Sequence, residues 1–194
     1  HEVRAECGVN SHIHIMTIMI GRGDIYSDDH VTLSGDGARF DADAAYLGKN
    51  SQTIDYNIVA DHFGKKTESL ITVNGALTDS AKKVFRGTID FKKGSADSVG
   101  SENETVLMLG DDVVNKTVPL ILCAEENVEG THGATIGELD ADTMFYFESR
   151  GIDRETAEKI MAYAAVERLI HMAEDSEFAA VAEKAMGIKT DTEE

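Results

Sequence analysis

Short strand-like segments follow one another at fairly regular spacing through the first 140 residues. Branched and aromatic residues fill these segments, several with apolar and polar residues alternating, as in a half-buried β-strand. Glycine, asparagine and aspartate cluster between the segments and predict turns. The predicted strands are 13–20, 31–33, 38–46, 53–60, 68–73, 84–91, 105–109, 118–124 and 134–136; the predicted turns are 35–37, 48–50, 74–75, 93–94 and 110–112. A mainly β fold of many short strands follows.

Two β architectures fit this pattern. Several turns place glycine just before a small residue, as at Gly37-Ala38, Gly75-Ala76 and Gly94-Ser95, and small residues at corners suit a solenoid whose turns stack on one another. An antiparallel sandwich would also give many short strands, and Asn74-Gly75 is a hairpin dipeptide. Strand periodicity alone leaves both open.

The pattern changes to a helical period after residue 140. Asp140 or Asp142 can cap a short helix through Phe147, and Gly151 suits a left-handed stop. Asp153 can cap a second helix, and a third is predicted from residue 176 to 186, ended by glycine and followed by a charged tail over 189–194. The second helix is predicted to bury Ala157, Ile160, Met161, Ala164, Leu169 and Met172. These helices could cover the open end of a solenoid or form a docking surface.

Charge and composition exclude several classes of function. The net charge is −18, whereas a nucleic-acid partner requires clustered lysine and arginine. No apolar run reaches the roughly 18 residues of a membrane span, and no signal peptide is visible. The Gly-x-x-x-x-Gly-Lys-Ser/Thr phosphate loop is absent from the sequence, so we expect no bound nucleotide.

The cysteines indicate a reducing compartment. Cys7 and Cys123 are too few and too far apart for a disulfide framework, and no Cys-x-x-Cys pair occurs. We therefore expect a cytoplasmic protein, with Cys123 a small buried apolar side chain. The chain begins with His1 rather than methionine, and we expect an N-terminal region to be missing.

Two neighbouring motifs near the end of the β region are the most specific feature of the sequence. The first runs from Gly130 to Asp140 and contains His132-Gly133-Ala134-Thr135; the second runs from Phe145 to Ile152 as Phe-Tyr-Phe-Glu-Ser-Arg-Gly-Ile. Together they resemble the C-terminal signature of the SufB/SufD family, scaffold proteins of the SUF system for iron–sulfur cluster assembly. A weaker likeness extends back through residues 85–89 toward about residue 36, so that the resemblance covers most of the chain. Within the family the sequence looks closer to SufD, or to short SufB-like proteins of minimal systems, than to a full SufB.

The resemblance implies a fold, a function and partners. It favours a right-handed parallel β-helix over residues 1–140 and a helical segment over 141–194 that docks a SufC-type ATPase. It also implies a non-enzymatic scaffold on which a transient iron–sulfur cluster is assembled, with ATP hydrolysis supplied by the partner. The chain would pair with a SufB-like paralogue or with itself, and we expect no nucleic-acid or membrane partner. The implied docking residues are Phe145, Tyr146, Arg150, Gly151 and Ile152.

His132 is the candidate iron or cluster ligand. Taken alone, a histidine between Thr131 and Gly133 is typical of a hydrogen-bonded corner residue, although an accessible imidazole can also ligate iron. The family resemblance implies the second role, and Glu129 and Glu126 are candidate co-ligands. No catalytic residue is predicted. His12 and His14 have a metal-compatible spacing but lack an evident third ligand.

Two other classes of function remain open. One is a structural module that only holds partners. The other is a carbohydrate-active β-helix enzyme, which would use paired carboxylates. With 36 acidic residues, chance carboxylate pairs carry no weight, and the absence of tryptophan disfavours sugar stacking.

Overall fold

The computed structural model describes residues 1–186 and shows a parallel β-solenoid followed by three helices. Ten strands form the solenoid, and all of their recorded pairings are parallel. The strands are β1 Glu2–Cys7, β2 His12–Met19, β3 Ile25–Leu33, β4 Arg39–Gly48, β5 Thr53–His62, β6 Glu68–Thr78, β7 Lys82–Phe91, β8 Ser98–Leu109, β9 Val114–Cys123 and β10 Val128–Gly137. The parallel β-helix is therefore confirmed, and the sandwich is excluded.

Each coil of the solenoid contributes one strand to each of two sheets. The first sheet has the order β1-β3-β5-β7-β9 and the second the order β2-β4-β6-β8-β10. One coil takes about 29 residues in the middle of the chain: Thr53 pairs with Lys82, and Arg39 with Glu68. Alternate side chains therefore stack in inward-facing rows, and the interior is filled mainly by apolar residues such as Phe40, Ile58 and Phe85.

The corners show why short residues occur there. Gly64 lies directly over Gly35, so that a Cβ on Gly64 would approach the Gly35 carbonyl oxygen to 2.2 Å. Other corner positions have positive φ and are occupied by Asn50, Asp79 and Asp97, residues that tolerate the left-handed region. Stacked corners thus require small residues or residues that tolerate a left-handed backbone conformation, as expected for a solenoid.

The hairpin signal at Asn74-Gly75 is wrong. Both residues lie inside β6, and Gly75 is required for a packing reason: a Cβ there would lie 2.5 Å from the ring of Tyr46 on the preceding coil. The aromatic ring fills the space that a side chain at position 75 would occupy. The glycine is a sign of close packing and not of a turn.

Three helices follow the solenoid: α1 Ala141–Glu148, α2 Arg154–Met172 and α3 Ser176–Met186. Asp140 and Asp153 are the N-caps of α1 and α2, with their carboxylates accepting from Thr143 N–H and Thr156 N–H. Gly151 has φ +77° in the connection. These predicted caps are confirmed; the predicted end of α3 at residue 187 and the charged tail lie outside the described residues.

Helix α2 packs along the outer face of the second sheet, where it contacts β2, β4, β6 and β8. Val166, Leu169 and Ile170 cover Leu47 and Leu109 in a second apolar core. Helix α2 therefore covers the side of the solenoid and not its open end, so the expectation of an end cap is wrong. The outer face of this sheet carries apolar side chains that need a cover. The predicted buried stripe is also partly wrong: Ile160, Ala164 and Met172 are exposed.

Candidate functional site

The final coil leaves the interior of the solenoid open. Strands β9 and β10 end their sheets and have a neighbour on only one side. In β10, His132 lies beside Glu102 in the register, and Ile136 lies beside Val106. Glu102 and Val106 are buried, so these rows face inward. With no further coil above it, Ile136 remains 49% exposed, and His132 is exposed in the same inward row.

A buried charged cluster lies one coil below His132. Lys83 forms an ion pair with Glu104, and its Nζ donates to Thr117 Oγ1 at 3.1 Å. Thr117 donates to the second oxygen of Glu104. Glu102 completes the cluster: only 3% of it is exposed, and its carboxylate is packed against the backbone of Gly87 on the opposite sheet. Charged residues in a solenoid interior are costly unless they are paired.

The cluster changes the protonation of two of its members. Burial raises the pKa of Glu102 to about 7, and the negative charge of Glu104 adds to this effect. Burial also lowers the pKa of the Lys83 ammonium, although the ion pair with Glu104 opposes that shift. Near neutral pH the protonated and ionised forms of Glu102 are therefore both populated.

Of the predicted ligands, only His132 faces the open interior. Glu129 lies beside the half-exposed Val99 and occupies the outer face of β10, opposite to His132. Glu126 lies in the connection between β9 and β10. Their role as ligands stays a prediction. The carboxylate that the register does place beside His132 is Glu102, which lies 30 residues earlier, one coil back along the chain. This spacing of 30 residues, about one coil, is the sequence signal that could have identified Glu102 as a neighbour of His132.

His132 has the features of an available side chain. Within residues 1–186 it takes part in no recorded hydrogen bond or ion pair, so a hydrogen-bonded corner role has no support. No group of three or more His, Cys, Asp or Glu residues in this range is arranged to hold a metal ion. A metal at His132 would therefore need further ligands from another chain or a rearrangement of the cluster below.

The other candidate ligands are placed differently. His12 and His14 hydrogen-bond Asp41 and Asp43 at 2.9 and 2.8 Å, so carboxylate partners take up both rings. Cys7 is buried, and burial raises the pKa of its thiol. Cys123 is exposed, which makes the prediction of a buried apolar side chain wrong. It lies beside Phe91 in the register, on the inward row of the final coil that nothing covers.

A second surface of interest lies on α1. Phe145 and Tyr146 are 72% and 55% exposed. The guanidinium of Arg150 lies 3.6 Å from the centroid of the Tyr146 ring, and Arg150 Nη1 donates to the Tyr146 carbonyl. This arrangement holds the tyrosine in one orientation. Exposed aromatic residues with an arginine are common anchors of protein interfaces.

The fold defines this chain as a β-solenoid protein with a helical segment packed against one sheet. Residues 1–165 match the family model described as SUF system FeS cluster assembly, SufBD core domain. The chain belongs to this family. Its resemblance to SufB/SufD proteins is thereby confirmed.

Curated relatives carry the same assignment. The chain is 31% identical over 156 residues to the iron–sulfur cluster assembly protein SufD of Bacillus subtilis, a match covering 80% of this chain and 36% of the relative. It is 25% identical over 182 residues to the SufBD family protein slr0074 of Synechocystis, covering 94% and 38%. SufD of Escherichia coli matches at 30% identity over 88 residues, covering 45% and 21%. The chain spans less than two fifths of the length of these relatives.

In the described part of the chain, no helix is both long and apolar enough to cross a membrane.

Proposed function

We propose that this protein is a non-catalytic scaffold on which iron–sulfur clusters are assembled together with a SufC-type ATPase. The observation that carries the proposal is the open final coil, where an exposed and unpaired His132 faces the interior. The alternative of an inert interaction module gives no role to this histidine. ATP hydrolysis belongs to the partner, since the sequence has no phosphate loop. A cytoplasmic location stays part of the prediction.

The cluster is the cargo of this scaffold and is held transiently at the open end. Imidazole is a suitable ligand for iron, and His132 is accessible there. The described residues of one chain do not form a complete metal site, which supports a cluster held between two chains. Glu126 and Glu129 remain candidate ligands, and the exposed thiol of Cys123 lies on the same open coil.

The same open end is the proposed contact with a second copy or a SufB-like paralogue. The free edges of β9 and β10 present unpaired backbone groups, and pairing with another strand would satisfy them. Ile136, in the inward row of β10, lies 49% exposed at this end. Pairing of two open ends would cover Ile136 and bring together two His132 side chains.

Two variants should separate pairing from cluster binding. We expect His132→Ala to abolish cluster absorbance of the anaerobically isolated complex while the oligomer persists. Ile136→Lys should abolish both, because a charge replaces an apolar side chain at the contact. The matched control is Val99→Lys, a similarly exposed valine on the outer face of β8. Sedimentation and visible absorbance on the same samples provide the readouts.

The outcome also tests the structural role of His132. Since it has no recorded partner, His132→Ala should change the free energy of unfolding by no more than about 0.5 kcal/mol. Normal cluster yield in this variant would contradict the proposal and would place the assembly site on a partner chain. A strictly monomeric wild-type protein in the presence of the ATPase would contradict the pairing.

The helical segment is the proposed docking surface for the ATPase. Phe145, Tyr146 and Arg150 would supply the anchors, and Gly151 and Ile152 would continue the surface toward α2. Removing all residues after 142 is a poor test, because it would expose the outer face of the second sheet that α2 covers. Point variants on α1 leave that packing intact.

We expect Tyr146→Ala to weaken binding of the ATPase by about thirtyfold, corresponding to about 2 kcal/mol for an interface anchor. The matched control is Tyr26→Ala, which removes a similarly exposed tyrosine from β3 of the solenoid. Titration calorimetry with the purified ATPase gives both affinities. Equal affinities for the two variants would show that α1 is not the docking surface.

A further inference from the structure

The charged cluster beneath the open end has a function of its own. We propose that Glu102 is an oxygen ligand for ferrous iron that enters through the open final coil and is shared with His132. This inference rests on the proposed scaffold function and adds to it the iron-delivery step and a residue that the sequence motif does not contain. The metal is identified by its chemistry, a divalent cation that accepts both carboxylate and imidazole ligands.

The register brings the two side chains together. His132 and Glu102 are direct partners in the parallel pairing of β10 with β8, and neighbouring strands lie about 4.8 Å apart. Both side chains belong to the same inward row. Only the final coil, at the level of His132, separates Glu102 from the open end. A cation that reaches His132 is therefore within one strand spacing of the carboxylate.

The charges of the cluster leave Glu102 without a partner. Lys83 and Thr117 both bind Glu104, so that carboxylate is neutralised and hydrogen-bonded. Within the described residues no group donates a recorded hydrogen bond to Glu102, although 97% of it is buried (3% exposed). Two carboxylates and one ammonium leave one negative charge in excess when both acids are ionised. A bound cation would neutralise this excess charge and competes with a proton for the same oxygens.

A second buried group next to the cluster also lacks a partner. The hydroxyl of Tyr46 is buried and makes no hydrogen bond, and its ring lies 5.7 Å from Lys83 Nζ. Burial, and to a smaller extent the nearby charge of Glu104, raises the pKa of this tyrosine, so it remains a neutral hydroxyl. It could accept or donate one hydrogen bond within the interior. The side-chain oxygen of Asn115, beside Lys83 in the register, is also buried without a partner, so hydrogen-bonding capacity is free in this part of the interior.

The position of Gly87 fixes the carboxylate. A Cβ at residue 87 would lie 1.9 Å from Glu102 Oε2, so only glycine leaves room for this carboxylate in the interior. The backbone of β7 thus forms one wall of the proposed site. Such close support orients a ligand before the metal arrives, which lowers the entropic cost of binding.

The test measures iron binding and not cluster assembly. The full chain is titrated anaerobically with ferrous iron, in excess magnesium to suppress weak binding by surface carboxylates, and bound iron is measured by equilibrium dialysis. We expect Glu102→Gln, which preserves the shape of the side chain, to weaken binding by about tenfold or more. The matched control is Glu6→Gln, an exposed glutamate of β1 at the opposite end of the solenoid, which should leave the affinity unchanged.

The possible results are clearly separated. Glu102→Gln should retain its melting temperature or raise it, because the variant removes an unpaired buried acid; a correctly folded variant with unchanged iron affinity would overturn the inference. Equal loss in both glutamine variants would also overturn it and would indicate surface binding. Failure here leaves the proposed function standing if His132→Ala still abolishes the cluster, so the two conclusions are tested independently.

Discussion

Replacing Lys83 with methionine is expected to lower the free energy of unfolding by about 3–5 kcal/mol. Methionine has a similar length and keeps the interior filled, but it leaves Glu104 ionised and buried without its ammonium partner. Thr117 alone donates one hydrogen bond to that carboxylate. Urea unfolding followed by circular dichroism measures the loss.

The matched control is Lys82→Met, which changes the neighbouring lysine on the exposed face of β7 and should alter stability by less than about 0.5 kcal/mol. The double variant Lys83→Met with Glu104→Gln should recover most of the loss, because it removes the unpaired charge as well. Similar stabilities for the two single variants would show that the buried ion pair does not contribute as the geometry indicates.

Val166→Asp is expected to cost about 3–4 kcal/mol and to detach the helical segment from the second sheet. Val166 is fully buried at the centre of the second core, where α2 meets Leu47 and Ala76. An aspartate there would be buried among apolar side chains unless the helix moves away. Chemical unfolding and limited proteolysis between the solenoid and α2 measure the two effects.

Ile160→Asp provides the comparison, since Ile160 is a β-branched residue of the same helix that is 42% exposed. It should cost less than about 1 kcal/mol, mainly through helix propensity. Protease resistance equal to the wild type in Val166→Asp would mean that α2 holds its position by contacts other than the second core.

Local signals in the sequence located most of the secondary structure. Nine of the ten strands overlap a predicted segment, and the caps at Asp140 and Asp153 are as expected. Strand β1 and the first half of β3 were missed. The missed half contains Ser27, Asp28 and Asp29, and polar residues of this kind do not predict a strand. They pair with the next coil in the folded chain, as in the hydrogen bond that Tyr56 donates to Asp29.

The candidate site was only partly predictable. His132 could be found because it stands in a motif, whereas Glu102 and Lys83 belong to segments with no recognisable signature. Their meaning comes from stacking: residues about 30 positions apart become neighbours in the parallel register. Coil lengths vary along this chain, since Lys82 pairs with Val114 but Thr53 with Lys82, and this variation hides the offset from inspection of the sequence.

The sequence by itself determined where strands and helices form, which residues cap the helices and which family the chain resembles, because these depend on neighbouring residues and on a contiguous motif. The tertiary structure decided which side chains face the interior, that α2 lies on the side of the solenoid, and that Glu102 sits beneath His132. Those features depend on contacts between residues that are distant in the chain. A shift of register by one residue would turn the inward-facing side chains of a strand to the opposite face.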